Sequence, residues 1–413
     1  MYPVKEAKEE RLPMTEHVTI ISADTHGGGR ILDYRPYLES RWHDQFEEWR
    51  KTYRNPFRDL QERAPEGSSR DRNWDTGRRS SEQYADGVIA EIIFPNTVPP
   101  FFPAAQFNAP QPTAKNYQQR LAGIRAHARW LKDFCDELPS QRCGLPQIVV
   151  NDIDDAIDDV RWAAENGFTS VLIPHIPPDS GLPHYFNDIY DPLWAACEDL
   201  GIVLTQHGGN GVPDYGGHPA TPLLQLMEVL FYAQKSMWHL IIGGVFERFP
   251  NLKYVMTEQG VAWVKPALDR LDGFWNQMVN SGRVGELGME ADTMLPLQPS
   301  EYFARNCWIG ASFPAPSDAE CIRELGVNKI MWGSDYPHAE GTFPHTREAL
   351  RNSFAGWEEN DLRAVLAKNA ASVYRMDLDH LAPIAQKHGP TLEELQTPLG
   401  SIPDNASPAF TRG

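Results

Sequence analysis

Asp24 and His26, in the stretch TIISADTHGGG, stand two residues apart where an apolar run from Val18 to Ile21 ends. Residues two apart on a strand point to the same face. The carboxylate and the imidazole therefore aim at one point just beyond the strand's end, an arrangement suited to a divalent metal. The same pattern recurs along the chain. TSVLIPH ends at His175, GIVLTQH at His207, LKYVMTE at Glu258 and KIMWGSD at Asp335. Each ending is ordinary by itself. Five in register with one repeating architecture point to a shared site. Asp24, His26, His207 and Asp335 read together as metal ligands. His175 follows Pro174 and precedes Pro177 and Pro178, so it reads equally as a ligand or as a loop residue. Glu258 reads as a ligand, a base or a helix cap. His338, three residues past Asp335, reads as a supporting or acid/base group rather than a ligand.

The elements that must position this set alternate regularly. Strand candidates are residues 18–23, 88–94, 146–150, 169–174, 201–206, 252–257, 307–311 and 329–334. Each is short, apolar and rich in Ile or Val, without clean polar alternation, as strands buried on both faces read. Helical stretches lie between most of them, and the apolar stretch 219–250 reads as a buried helix. Eight strands with helical crossovers predict an α/β chain folded as a (β/α)8 TIM barrel. A doubly wound open sheet is the rival. The first strand lacks the G-x-G-x-x-G turn, and an open sheet could not bring five strand ends to one point.

Two large insertions break the rhythm after strands 1 and 2. Residues 30–86 contain eleven arginines, and residues 95–120 are rich in Pro, Asn and Gln. Both are expected to lie over the barrel mouth as a lid. The catalytic domain is placed at 1–379, and the Pro-rich segment 380–413 is expected to form an extended arm. At 413 residues the chain is long enough for such a barrel, and its net charge of −18 argues against nucleic acid as a partner. Five scattered cysteines without a C-x-x-C fit a reducing cytoplasm. No apolar run approaches membrane-spanning length. The expected partners are a small-molecule substrate and further copies of the chain, in a homo-oligomer.

SADTH, YADGVIAEIIFPN, YDPLWAACEDLGIVLTQHGG, FERFPNLKYVMTEQGVAWV and MWGSDYPHAEGTFPH resemble the amidohydrolase-related TIM-barrel family over residues 18 to 375. Its members include metal-dependent decarboxylases and hydrolases. The resemblance places Asp24, His26, His207 and Asp335 on the family's metal positions, with Asp24-x-His26 as a variant of H-x-H. The decarboxylases often carry an acid/base His at the end of strand 6, where this chain has Glu258. The dinuclear hydrolases bridge their metals with a lysine carbamate or Glu on strand 4, where this chain has His175. Six donors (Asp24, His26, His175, His207, Glu258 and Asp335) exceed what one ion needs and suit two. The resemblance then implies the family's nonheme diiron monooxygenase branch, with two irons, a ferredoxin or reductase as electron donor, and a CoA-linked acyl substrate. The Arg-rich insertion would suit such an anionic carrier. The alternative is a redox-neutral decarboxylase or hydrolase on zinc or manganese, with Glu258 or His338 as acid/base.

Overall fold

A computed structural model of the chain describes residues 16–54, 69–103, 111–209, 211–288 and 295–410. Parallel strands β1 (Ile21–Gly27), β2 (Ala90–Pro95) and β3 (Arg142–Gly144) pair in that order. The strands β4 (Ser170–Leu172), β5 (Val203–His207), β6 (Tyr254–Thr257), β7 (Cys307–Ser312) and β8 (Ile330–Gly333) form the second parallel set, also in chain order. Two seams join the sets. Between β3 and β4, Gln147 bridges Leu172, and the Leu172 N–H donates to the Pro146 carbonyl at 2.8 Å. Between β8 and β1, the Asp335 N–H donates to Asp24 O at 2.9 Å and the His26 N–H to Tyr336 O at 2.6 Å. The result is the expected (β/α)8 barrel.

The third strand differs from its expected position at 146–150. Pro146 has no N–H to give to a ladder, so bonding to β2 ends with the Leu145 N–H on Ile93 O at 3.0 Å, and beyond it Gln147 bridges only Leu172 of β4.

Strand burial follows the period of two. Ile21, Ala23, Ile92, Phe94, Val203, Val255 and Met331 pack together, with Ala367, Ala370 and Tyr374 from the helices after β8. Their neighbours Ile93, Val171, Leu204, Met256 and Ile309 pack with the surrounding helices. Parallel strands covered on both faces must be apolar throughout.

The segment expected as an extended arm is helical in part. Asp377 accepts from the N–H groups of Asp379 and His380 and starts the helix Leu378–His388, which buries Leu381 and Ala385. The helix Leu392–Gln396 buries Leu395. The stretch 219–250 forms the helix Thr221–Ile242, but only part of it is buried as expected. Val229, Ala233, Met237 and Leu240 face the core, while Leu223, Leu226, Met227 and Phe231 face solvent. No helix among the described residues is long and apolar enough to cross a membrane.

Residues 55–68 and 104–110 of the two insertions lie outside the described residues. The remainder of the first carries the helices His43–Thr52 and Thr76–Ala85. Several of its arginines meet nearby acids, with Arg35 on Glu47 at 3.1 Å and Arg72 and Arg78 on Glu82 at 2.7 and 3.0 Å. Arg79 does something different. It is fully buried, donates from Nη2 to Glu91 at 2.6 Å and from Nη1 to the His26 carbonyl at 2.7 Å. Glu91 also accepts from Gln83 and from Thr25 of β1, each at 3.0 Å, and faces Arg142 at 3.3 Å. Burial would push the Glu91 carboxyl up, but Arg79 and Arg142 outweigh it and hold it at about 2.

Removing one partner of such a buried pair costs about 3–5 kcal/mol. Arg79→Met is therefore expected to lose that much unfolding free energy in urea. A carboxyl depressed on folding contributes stability that is complete above its ordinary 4.5 and is lost as pH falls towards 2. The deficit of the variant should accordingly shrink in acid. A deficit below about 1 kcal/mol at neutral pH, as for a surface pair, would show that this network does not anchor β1.

Candidate metal centre

The ends of β1, β5, β6 and β8 meet at one mouth of the barrel. Asp24 and His26 lie within β1, whose register against β2 shifts between Ser22 and Thr25. His207 is the last residue of β5. Glu258 directly follows β6 with φ 53°, and Asp335 follows β8 with φ 59°. Both adopt the left-handed region, which costs a non-glycine residue about 1–3 kcal/mol and persists where the surroundings enforce it. Gly333 permits the approach of β8 to β1. A Cβ there would lie 2.5 Å from Asp24 Cβ and 3.1 Å from its backbone nitrogen.

The side chains converge tightly. Asp24 Oδ1 lies 3.4 Å from both His26 Nε2 and His207 Nε2. His26 Nε2 is also 3.1 Å from Asp335 Oδ1, and His207 Nε2 is 2.9 Å from Glu258 Oε2. Asp24, His26, His207 and Glu258 form one group with metal-ligand spacing. His26, Asp335 and His338 form another. The Asp24 and Asp335 side chains are fully buried, whereas those of Glu258 and His338 are 30% and 28% exposed and face the opening.

The electrostatics call for positive charge at the centre. Two carboxylates about 4 Å apart repel by about 4 kcal/mol at an effective dielectric of 20. Burial pushes the Asp24 carboxyl up, but His207 and His26 outweigh it and hold it well below the usual range. Asp335 is likewise held down, by His338 and His26 against its burial. Burial lowers the two imidazoles, but their carboxylate partners outweigh it. Asp24 and Asp335 raise His26 to about 9, and Glu258 and Asp24 raise His207 well above its ordinary value.

The donor set fits a divalent cation. Asp24 Oδ1, His26 Nε2, His207 Nε2 and both Asp335 oxygens are buried with no aligned hydrogen bond, and are held only as charge contacts. His207 Nδ1 donates to the Gly208 carbonyl at 2.6 Å, which directs Nε2 at the centre, where a metal would replace its proton. The Ser312 hydroxyl, at the end of β7, donates to Asp24 Oδ2 and turns the other oxygen inward.

His175 is not brought into the cluster. Its Nε2 faces the His207 carbonyl at 2.8 Å, and burial lowers it to about 4, so it is neutral at pH 7. His338 is engaged on both sides. Its Nδ1 lies 2.8 Å from Asp335 Oδ1 and its Nε2 3.1 Å from Asn96 Oδ1. An amide chain fixes the hydrogen on Nε2. Asn73 Nδ2 donates to the Arg70 carbonyl, which can only accept, and Asn96 Nδ2 donates to Asn73 Oδ1. Only the Asn96 carbonyl oxygen is left for His338, so Nε2 carries N–H. Ser312 and Asn96 were not among the sequence candidates. Each is a polar residue at or just past a strand end, the signal that singled out the others.

The family model described as Amidohydrolase matches residues 83–376. The chain belongs to this amidohydrolase family. It is 23% identical over 325 residues to 2-amino-3-carboxymuconate-6-semialdehyde decarboxylase of Dictyostelium discoideum, covering 74% of this chain and 77% of that one. Among solved structures it is similar to an amidohydrolase of Mycobacterium avium subsp. paratuberculosis K-10, with TM-score 0.65, 19% identity and coverage of 86% and 99%. It is also similar to manganese-bound 5-carboxyvanillate decarboxylase of Novosphingobium aromaticivorans DSM 12444, with TM-score 0.63, 18% identity and coverage of 87% and 98%.

These relatives correct the expected oxidoreductase. Two of them are decarboxylases, so the diiron monooxygenase reading falls away, and the redox-neutral alternative gains their support. The physical reason lies in the donor count. Six donors suit two ions only where all six converge, and the structure turns His175 onto a backbone carbonyl.

Groups that orient a ligating side chain typically carry 10–100-fold of metal affinity. Ser312→Ala is expected to weaken metal binding by about that factor in a chelator competition, with an unchanged circular dichroism spectrum. Parental affinity in the variant would mean that Asp24 is oriented by the barrel alone.

Proposed function

We propose that this amidohydrolase is a metal-dependent decarboxylase of a carboxylated, conjugated small molecule, with one divalent cation held by Asp24, His26, His207 and Asp335. The observation that carries the reading is this buried cluster of unpaired donor atoms at a barrel mouth. The decarboxylase relatives support the reaction type. One ion is favoured over two because both candidate groups draw on His26. Carboxylate and imidazole donors suit manganese or zinc. Bound there, the cation would supply Lewis-acid polarisation of a substrate oxygen.

The chain's own residues do the remainder. The bond between the carboxylate carbon and the substrate breaks, carbon dioxide leaves, and the electron pair stays on the substrate carbon. Glu258 delivers a proton to that carbon and is reprotonated from solvent through the opening, since its side chain is the exposed carboxylate of the cluster. His338 is tied to Asp335 and Asn96, so its task is to hold Asp335. Phe94, 4.6 Å from His207 between ring centroids, provides an apolar wall. The described parts of the two insertions reach the mouth in this reading. Asn73 from the first and Asn96 from the second form the chain that reaches His338.

The test is carbon dioxide release from a panel of hydroxylated aromatic and dienoic acids under argon, with metal measured by mass spectrometry. Turnover should vanish on chelation, return with Mn2+ and need no oxygen. Glu258→Gln should retain metal and lose at least about 100-fold in kcat. His175→Ala should keep the parental metal stoichiometry. Oxygen-dependent turnover, or full activity after chelation, would sink the proposal. Loss of half the metal in His175→Ala would restore a second ion.

A further inference from the structure

The segment after the helix Leu392–Gln396 returns to the mouth of the barrel. Arg351 holds its start, donating from Nε to the Thr397 carbonyl and from Nη2 to the Pro398 carbonyl, both at 3.0 Å. Gly400, Ser401, Ile402, Asp404 and Asn405 are then exposed, and the segment is buried again only at Ala409 and Phe410. These two pack with Phe313 in a cluster of their own, apart from the barrel core, with Ala349, Leu399 and Ala406 against it. Two polar contacts seat the segment on the loop after β8. The Ser407 hydroxyl donates to the Gly341 carbonyl, and Asn405 Oδ1 lies 3.0 Å from His345 Nε2. That loop carries His338, whose carbonyl accepts from the Gly341 N–H at 3.2 Å.

We propose that residues 405–410 are a strap over the ends of β7 and β8, and that Phe410 is a positioning residue for the metal centre. The inference rests on the centre proposed above. The route from Phe410 to it is short. Phe313 directly follows Ser312, whose hydroxyl donates to Asp24. The Phe313 N–H donates to the Gly333 carbonyl at 2.8 Å, which ties β7 to β8 where both reach the site. Phe313 makes this bond with φ 35°, a left-handed region that a bulky aromatic residue avoids unless its surroundings hold it there. Most of the apolar side chains in its cluster, those of Leu399, Ala406, Ala409 and Phe410, come from the returning segment. With the Phe410 ring removed, Phe313 can relax towards ordinary backbone angles. That relaxation turns the peptide joining it to Ser312 and draws the hydroxyl away from Asp24. A group that orients a ligating side chain in this way carries metal affinity.

The test measures Mn2+ affinity of the full chain by chelator competition. Phe410→Ala should weaken it about tenfold, the lower end for a group that orients a ligand, with an unchanged circular dichroism spectrum. Phe410→Leu keeps an apolar plug and should keep the parental affinity. In a Ser312→Ala background, Phe410→Ala should cost nothing more, because the two act through one contact. A Phe410 that only stabilises the fold would cost the same in both backgrounds. The Phe313 amide gives a second readout that needs no metal. Its hydrogen exchange should quicken several-fold in Phe410→Ala as its bond to Gly333 loosens. A folded Phe410→Ala variant that keeps the parental affinity or the parental exchange rate overturns the proposal. So does an equal loss of affinity in both backgrounds. A parental chain that does not bind Mn2+ would count against the metal centre itself, and exchange at Phe313 would then decide the strap alone.

Discussion

The candidate site depends on the hydrogen bonds that close the barrel between its last strand and its first. Asp335 N–H to Asp24 O and His26 N–H to Tyr336 O join segments some three hundred residues apart in sequence. The same bonds set Asp24 and Asp335 on either side of His26. Ser22 and Ser334 reinforce the seam with paired hydroxyls at 2.9 Å. Gly333 keeps it tight, since any side chain there would strike Asp24. Beneath it, Arg79 clamps the His26 carbonyl while neutralising Glu91. An error of one residue in this register would turn His26 away from its partners, because side chains alternate faces.

The seam also explains why the site is unfavourable by itself. It gathers buried carboxylates and holds Asp335 in a backbone region it would otherwise avoid, as the end of β6 does Glu258. The protein offsets this with oriented partners. Gly208 O fixes the His207 tautomer, Ser312 occupies one oxygen of Asp24, and Asn96 with Asp335 fixes His338. What these partners leave at the centre is a set of carboxylate and imidazole atoms facing one another, which a cation binds by taking the place of the imidazole protons.

Much of this was legible in the sequence because a strand buried on both faces ends abruptly. Polar residues just past the apolar runs marked Asp24, His26, His207, Glu258 and Asp335, and the structure draws these together. His175 carries the same signal but turns to the His207 carbonyl. The direction of a ring after Pro174 depends on neighbouring strands, which a local pattern does not contain. Asn96 and Ser312 were hidden because small polar residues end strands for many reasons. The exposed face of the helix Thr221–Ile242 is not legible, because apolar content does not reveal how far a helix projects past its core. The chemistry was the least legible. The number of donors does not fix the number of ions, and carboxylate and imidazole ligands serve oxygen activation and decarboxylation alike.

What separates those chemistries physically is the division of labour among the carboxylates. Asp24 and Asp335 have fully buried side chains, face two imidazoles and are held down by them against the pull of burial. Groups held so firmly in the charged state are fit to bind a cation and unfit to exchange protons near neutral pH. Glu258 touches only one of those imidazoles, and nearly a third of its side chain reaches solvent. It alone among the three both contacts the centre and reaches solvent, the placement the proposed reaction asks of its acid. Paired acids whose surroundings differ in this way take different roles. The redox-neutral reading needs that pairing, since breaking a carbon–carbon bond leaves an electron pair that must be met by a proton at the open side of the site.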